Sequence, residues 1–211
     1  MARKLKFFYG TMNSGKSLLL LATAHNIEEN GLNLMVLKPS IDTRDGDSII
    51  KSRLGVEHKC VMVDRDVNLY EAIKAYRNVL AARFQKLNWV LIDESQFLTE
   101  EQVDQLADAA DNLDVNVMCF GLRTDFQSHL FPGSKRLFEI ADDLEEIKCT
   151  CKCGDKKTSV NVRIDENGDI VTDGSQIEIG GNERYVSLCR KCWRDKLKEK
   201  KREEYERLHD S

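Results

Sequence analysis

Through roughly its first two thirds, the chain alternates between short apolar runs and longer stretches of helical period. Leu5 to Tyr9 is an apolar run of strand length, and Ser17 to Glu29 reads as a helix that stops at Asn30-Gly31. "LNLMVLKP" predicts a second buried strand, closed by Pro39. Between "IDTRDGDS" and "EHKC" the period is lost among polar residues and turn formers, as in a surface loop. Residues 68–85 set Leu69, Ile73, Tyr76, Leu80 and Phe84 at helical spacing. "NWVLIDE" predicts a third strand, and "TEEQVDQLADAADNLD" a helix with Thr99 and Gln102 at capping-box spacing. "VNVMCFGL" is a fourth strand, and Ser134 to Leu144 reads as a further helix. Strand and helix in alternation imply an α/β fold, a parallel sheet with helices on both faces. Such sheets bind ligands at the carboxyl ends of their strands.

The period changes after residue 145. "TSVNVRIDENGDIVTDGSQIEIGG" alternates at period two around the turn pairs Asn167-Gly168 and Asp173-Gly174, which predicts short antiparallel strands. From Trp193 onward, "RDKLKEKKREEYERLHDS" is a charged helical or frayed tail with a solvated surface. Three segments are therefore expected: an α/β unit over 1–145, a small unit over 146–193, and a tail over 194–211.

Charge and cysteine usage narrow the classes. A formal net charge of -4 over 211 residues disfavours a mainly electrostatic nucleic-acid binder, though it leaves room for a local basic patch. Arg3, Lys4 and Lys6 precede an apolar run that Gly10 and Asn13 interrupt, which is not a secretory signal. The run from Leu18 to Ala24 is far too short to cross a bilayer, so a cytoplasmic location in a reducing compartment is expected. Five of seven cysteines, at 149, 151, 153, 189 and 192, crowd into the last third, a clustering that points to metal. Cys60 and Cys119 read as ordinary buried or half-buried residues.

Gly10, Gly15, Lys16 and Ser17 satisfy G-x-x-x-x-G-K-[ST], with a strand before and a helix after. Glycine lets such a loop curl so that successive N–H groups face phosphates, and the helix adds its positive end. Lys16 supplies charge to the β- and γ-phosphates, and the Ser17 hydroxyl is placed to ligate magnesium. Asp93, at the end of the third strand, is the matching magnesium carboxylate. Glu94 points another way, either as general base or as a supporting partner. These residues define a magnesium-dependent nucleotide-phosphate enzyme without choosing between hydrolysis and transfer.

"KCTCKCG" and "SLCRKCW" supply thiols for a tetrahedral zinc site. Cys189 and Cys192 have the usual turn spacing, and Cys153 joins them with either Cys151 or Cys149. Four protein ligands leave no open position, so this zinc is structural.

Taken together, "GTMNSGKS", "LKPSIDTR", "LIDESQFL", "FGLRTDFQSHLF", "CKCG" and "IGGNERYVSLCRKC" resemble the thymidine kinases of the P-loop-plus-zinc type, over about residues 4–193. The resemblance implies transfer of the ATP γ-phosphate to thymidine. It assigns ATP binding to Gly10, Thr11, Met12, Asn13, Ser14, Gly15, Lys16 and Ser17, completed by Asp93, Glu94, Ser95 and Gln96. Glu94 becomes the base for the 5′-hydroxyl proton. Phe97, Leu122, Phe126 and Phe131 wall the thymine pocket, with Met12 near its mouth. Tyr185 belongs to a lasso loop that closes over the nucleoside. It favours Cys151 with Cys153 and leaves Cys149 spare; Cys192 stands where bacterial members often have histidine. It further implies a homo-oligomer, tetramer or dimer, and feedback inhibition by dTTP. Asp42 and Arg44 are candidate nucleotide contacts from the loop after strand two. The rival expectations are a P-loop kinase or ATPase with another acceptor, and an ATP-regulated zinc-bearing nucleic-acid-binding module.

Overall fold

The computed structural model describes residues 4–41, 48–176 and 184–209, so Asp42, Arg44 and the lasso backbone over 177–183 lie outside the described residues. Six parallel strands form the central sheet. They are β1 (Leu5–Gly10), β2 (Asn33–Pro39), β5 (Val61–Val63), β6 (Leu87–Ile92), β7 (Asn116–Leu122) and β8 (Asp143–Ile147), in the order β5-β2-β6-β7-β1-β8. A short antiparallel hairpin, β3 (Ile49–Lys51) with β4 (Glu57–Lys59), occupies part of the stretch expected to be loop.

Adjacent residues of the inner strands go to opposite faces, and both faces are apolar. Phe7, Leu37, Ile92 and Cys119 face α2 (Leu69–Ala81), α3 (Glu100–Asn112) and α4 (Pro132–Ile140). Phe8, Val36, Leu91 and Phe120 face α1 (Lys16–Glu29) through Leu20, Leu21, Ala24 and Ile27. Strands buried on both sides need apolar residues throughout, which explains the unbroken runs in the sequence. Phe120 is plain core: it is fully buried and stacks on Phe8 at 4.8 Å. The Thr99–Gln102 capping box forms in both directions at the start of α3.

Two expectations need correction. The helix expected over 134–144 is α4, which starts earlier, at Pro132, and ends at Ile140; Asp143–Ile147 is instead the sheet's edge strand. Proline suits the first turn of a helix, where its missing N–H has no acceptor to satisfy. β8 pairs only with β1 and keeps Leu144 and Glu145 exposed, so it has no reason to be apolar. β5 is the other addition, three residues long.

The last third forms its own small core. β9 (Val160–Arg163) pairs antiparallel with β10 (Tyr185–Leu188), and Cys151, Val160, Val162, Ile170, Leu188 and Cys189 bury together. α5 (Arg190–His209) then runs from the second cysteine pair through the charged tail. No helix among the described residues is long and apolar enough to cross a membrane.

Candidate functional site

β1, β6 and β7 all deliver their carboxyl ends to one edge of the sheet. Gly10 ends β1 and the loop turns through Asn13 and Gly15, both at positive φ, into α1. Gly15, at φ 91°, caps the helix in a left-handed conformation that a Cβ would strain. Lys16 is buried and its Nζ donates to the Thr11 carbonyl at 2.8 Å, so the ammonium arches back across the loop. The Ser17 hydroxyl, one residue on, donates to Asp93 Oδ2 at 3.2 Å.

Asp93 is 3 % exposed and its Oδ1 has no hydrogen-bond partner. Burial, and next the negative charge of Glu94, push this carboxyl up to about 7; the Glu94 N–H, Lys16 and Ser17 only partly oppose them. A buried carboxylate with one bare oxygen, beside a hydroxyl at the mouth of a phosphate loop, fits a divalent cation. The cation would replace the lost hydration and return the carboxylate to its ionised form.

Glu94 adopts φ 49°, outside the usual range for a non-glycine residue, at the entry to a single 3-10 turn, Ser95–Phe97. The kink turns the chain out of the strand, while Glu94 stays near enough for its charge to act on Asp93. Gln96 Nε2 donates to Glu94 Oε2 at 2.6 Å, and Gln96 Oε1 accepts from the Leu122 N–H at 2.9 Å. The buried Gln96 amide therefore ties the carboxylate to the end of β7, with its orientation set by both bonds. Gly121 makes this approach possible, since a Cβ there would come within 2.7 Å of Ser95 Oγ and 2.8 Å of Gln96 Oε1. Gln96→Leu is expected to lower kcat about 10–100-fold by freeing Glu94, with KM for ATP little changed. Steady-state kinetics with each substrate varied checks this.

The aromatic residues fall into two groups. Phe97 and Phe131 meet edge to face at 5.7 Å, beside the 3-10 turn, and the Ser134 hydroxyl donates to the Leu122 carbonyl at 2.5 Å. Phe126 and Tyr185 are joined by Arg163. Its guanidinium lies 3.9 Å over the Phe126 ring, and its Nε and Nη2 donate to the Tyr185 hydroxyl at 3.1 and 2.9 Å. Asp125, also buried, accepts from the N–H groups of Gln127 and His129 and from the Gln176 side chain.

The β9–β10 unit is fastened to the phosphate loop. Met12 N–H donates to Asn161 Oδ1 and Met12 O accepts from the Ser187 hydroxyl, both at 2.8 Å; the Thr11 and Thr158 hydroxyls meet at 2.7 Å. Sequence reading missed Thr158, Asn161, Arg163 and Ser187. Asn161 and Arg163 alternate with Val160 and Val162, a pattern that normally marks a solvent-facing side. Here both are buried against the α/β unit.

The sulfurs of Cys151, Cys153, Cys189 and Cys192 lie within 4.8 Å of one another, whereas Cys149 contacts the Thr150 carbonyl at 3.9 Å. The Cys153 and Cys189 sulfurs are 4.0 Å apart, close to the roughly 3.8 Å edge of a tetrahedral zinc–thiolate site. Cys189 N–H donates to the Cys151 sulfur at 3.2 Å. Burial opposes ionisation of Cys151, but hydrogen bonds from the N–H groups and the thiols of Cys153 and Cys189 together outweigh it and bring the thiol down to about 7. Donors aimed at sulfur suit thiolates that bind a metal.

A glycine loop between strand and helix, arched by its lysine and facing a buried strand-end carboxylate, defines a P-loop nucleotide-phosphate enzyme. The four-thiol cluster, carried on the unit that Thr158, Asn161 and Ser187 fasten to that loop, narrows the class. The family model described as thymidine kinase matches residues 3–193, and the chain belongs to that family. It is 49% identical to a thymidine kinase of Mannheimia succiniciproducens, over 89% of this chain and 93% of that one. It is 45% identical to one from Rhodopirellula baltica, over 95% and 92%, and 44% identical to one from Rhizobium meliloti, over 93% and 98%.

Proposed function

We propose that this chain phosphorylates thymidine: the γ-phosphoryl group of ATP passes to the 5′-hydroxyl, giving dTMP and ADP. The observation that carries the reading is Glu94, turned out of the strand axis and gripped by Gln96 one residue past a buried, half-satisfied carboxylate. A hydrolase needs only to orient water. A carboxylate held by two structural elements suits a base that must meet a fixed hydroxyl.

The bond from the 5′-oxygen to the γ-phosphorus forms as the bond from that phosphorus to the β–γ bridging oxygen breaks. The hydroxyl proton goes to Glu94. Gly10 to Ser17 hold the phosphates, and Lys16 offsets the charge that builds on the leaving oxygen. Ser17 and Asp93 would hold magnesium, which neutralises phosphate charge when bound. Ser95 and Gln96 complete the ATP side, Gln96 by fixing the base.

Phe97, Leu122, Phe126 and Phe131 wall the thymine pocket, with Met12 at its mouth and Tyr185 carried on the closing segment. A flat base needs ring faces more than charge; Phe97, Phe126, Phe131 and Tyr185 would offer them, with one face of Phe126 already taken by the Arg163 guanidinium. Residues 146–193 act as the unit that closes over the nucleoside and excludes water, stiffened by zinc on Cys151, Cys153, Cys189 and Cys192. A cytoplasmic homo-oligomer under dTTP feedback accords with the family reading.

A nucleoside panel with ATP, scored for monophosphate, tests the assignment. Thymidine-dependent ADP formation is the expected result. Equal ATP turnover without any nucleoside overturns it in favour of an ATPase.

A further inference from the structure

A concave pocket of about 710 Å³ lies between α5, the stretch before β9 and the end of β7, with Cys189 in its lining. Cations reach it from three separate segments. Arg123 comes from the end of β7, with its Nη2 fixed on the Ser159 carbonyl at 2.8 Å. Lys156 and Lys157 come from the stretch before β9. Arg190, Arg194 and Lys198 come from α5, four residues apart, so they lie along one face of the helix, with Lys191 beside them.

Charge compensation is scarce. Lys157 pairs with Glu146, and Asp195 is the one acidic residue among the described residues of the lining. Among the described residues, no carboxylate lies within ion-pairing distance of Arg123, Lys156, Arg190, Lys191, Arg194 or Lys198. In a chain of net charge -4, this excess of positive charge is local and confined to a concavity. Concave walls focus the field and favour a polyanion over monovalent counter-ions.

Among the described residues no aromatic side chain lines the pocket, so they offer no platform for stacking bases. Its volume is that of a small-molecule site. Arginines presented from both walls suit the paired oxygens of phosphate groups. We propose that this pocket is a second anion site that takes a short oligophosphate, free or as the tail of a nucleotide, separate from the phosphate loop. Arg123, Arg190, Arg194 and Lys198 grip the phosphates, and Lys191 and Lys156 raise the surrounding potential.

Calorimetric titration with inorganic tripolyphosphate tests this, with the phosphate loop filled by a saturating non-hydrolysable ATP analogue, the nucleoside pocket filled by saturating thymidine, and zinc content confirmed afterwards. Residual binding of about one equivalent per chain is expected, weakened about tenfold or more in an Arg194→Glu/Lys198→Glu variant. Both residues are exposed on α5, and phosphorylation by the variant should stay within about twofold of the unsubstituted chain. Equal affinity for tripolyphosphate and dTTP supports a site for the phosphate chain alone, and tighter binding of dTTP supports a nucleotide tail. Absence of residual binding, or binding the variant does not weaken, overturns the proposal. Salt-dependent retention of a single-stranded oligonucleotide without tripolyphosphate binding also overturns it, in favour of a nucleic-acid surface. These binding readouts stand whether or not thymidine is the acceptor.

Discussion

Glu94→Gln is expected to keep ATP affinity while turnover falls by about 10²–10⁴-fold, the usual contribution of a general base. The substitution is nearly isosteric and leaves a carbonyl oxygen for Gln96 to donate to, so the 3-10 turn and Asp93 should hold their places. What is lost is the capacity to take the 5′-hydroxyl proton. Because the proton is taken in the transition state and the glutamine keeps the size and an oxygen of the glutamate, kcat should fall with KM for ATP nearly constant. Rapid-quench turnover, with ATP binding measured separately, decides the matter. Turnover within a few-fold of the unsubstituted chain would remove Glu94 as the base and leave it as a support for Asp93.

The second large effect concerns the thiols. Cys151→Ser is expected to lose zinc and most of the folded β9–β10 unit, whereas Cys149→Ser should retain about one zinc per chain. Cys151 is buried in the four-sulfur cluster and receives an N–H bond from Cys189; Cys149 lies outside the cluster. The small core around Val160, Val162 and Leu188 holds six buried residues, two of them cysteines of the cluster, with Trp193 and Leu197 of α5 packed against it. Bound zinc supplies on the order of 10–16 kcal/mol to small domains of this kind, more than any rearrangement of so few side chains replaces. Metal analysis with thermal melting separates the two variants. Stoichiometric zinc in the Cys151 variant would hand the fourth place to Cys149.

Much of this organisation could be read from residue order alone. The four inner strands were legible because burial on both faces demands continuous apolar runs, as in "LNLMVLKP" and "NWVLIDE". The edges were not. β5 is too short to show a period, and "DLEEI" in β8 carries acids because one of its flanks meets no partner strand. Spacing alone placed the phosphate loop and Asp93, and the structure brings them together through Ser17. Glu94 had to be left between two roles, because its left-handed backbone and its bond from Gln96 depend on β7 arriving alongside. Arg163 and Asn161 were hidden for a related reason. A polar residue in a two-stranded unit looks solvent-facing until the surface that covers it is known.

The hydrogen bond from Ser187 to the Met12 carbonyl joins residues 175 positions apart, and Asn161 reaches the same residue across 149. Chains fold from the amino terminus as they leave the ribosome. The phosphate loop is therefore made well before the residues that fasten it. A nascent chain with its sheet already closed still has Met12 untethered until β10 emerges and the thiols gather. The tether between the phosphate loop and the β9–β10 unit is thus completed only once β10 has been made.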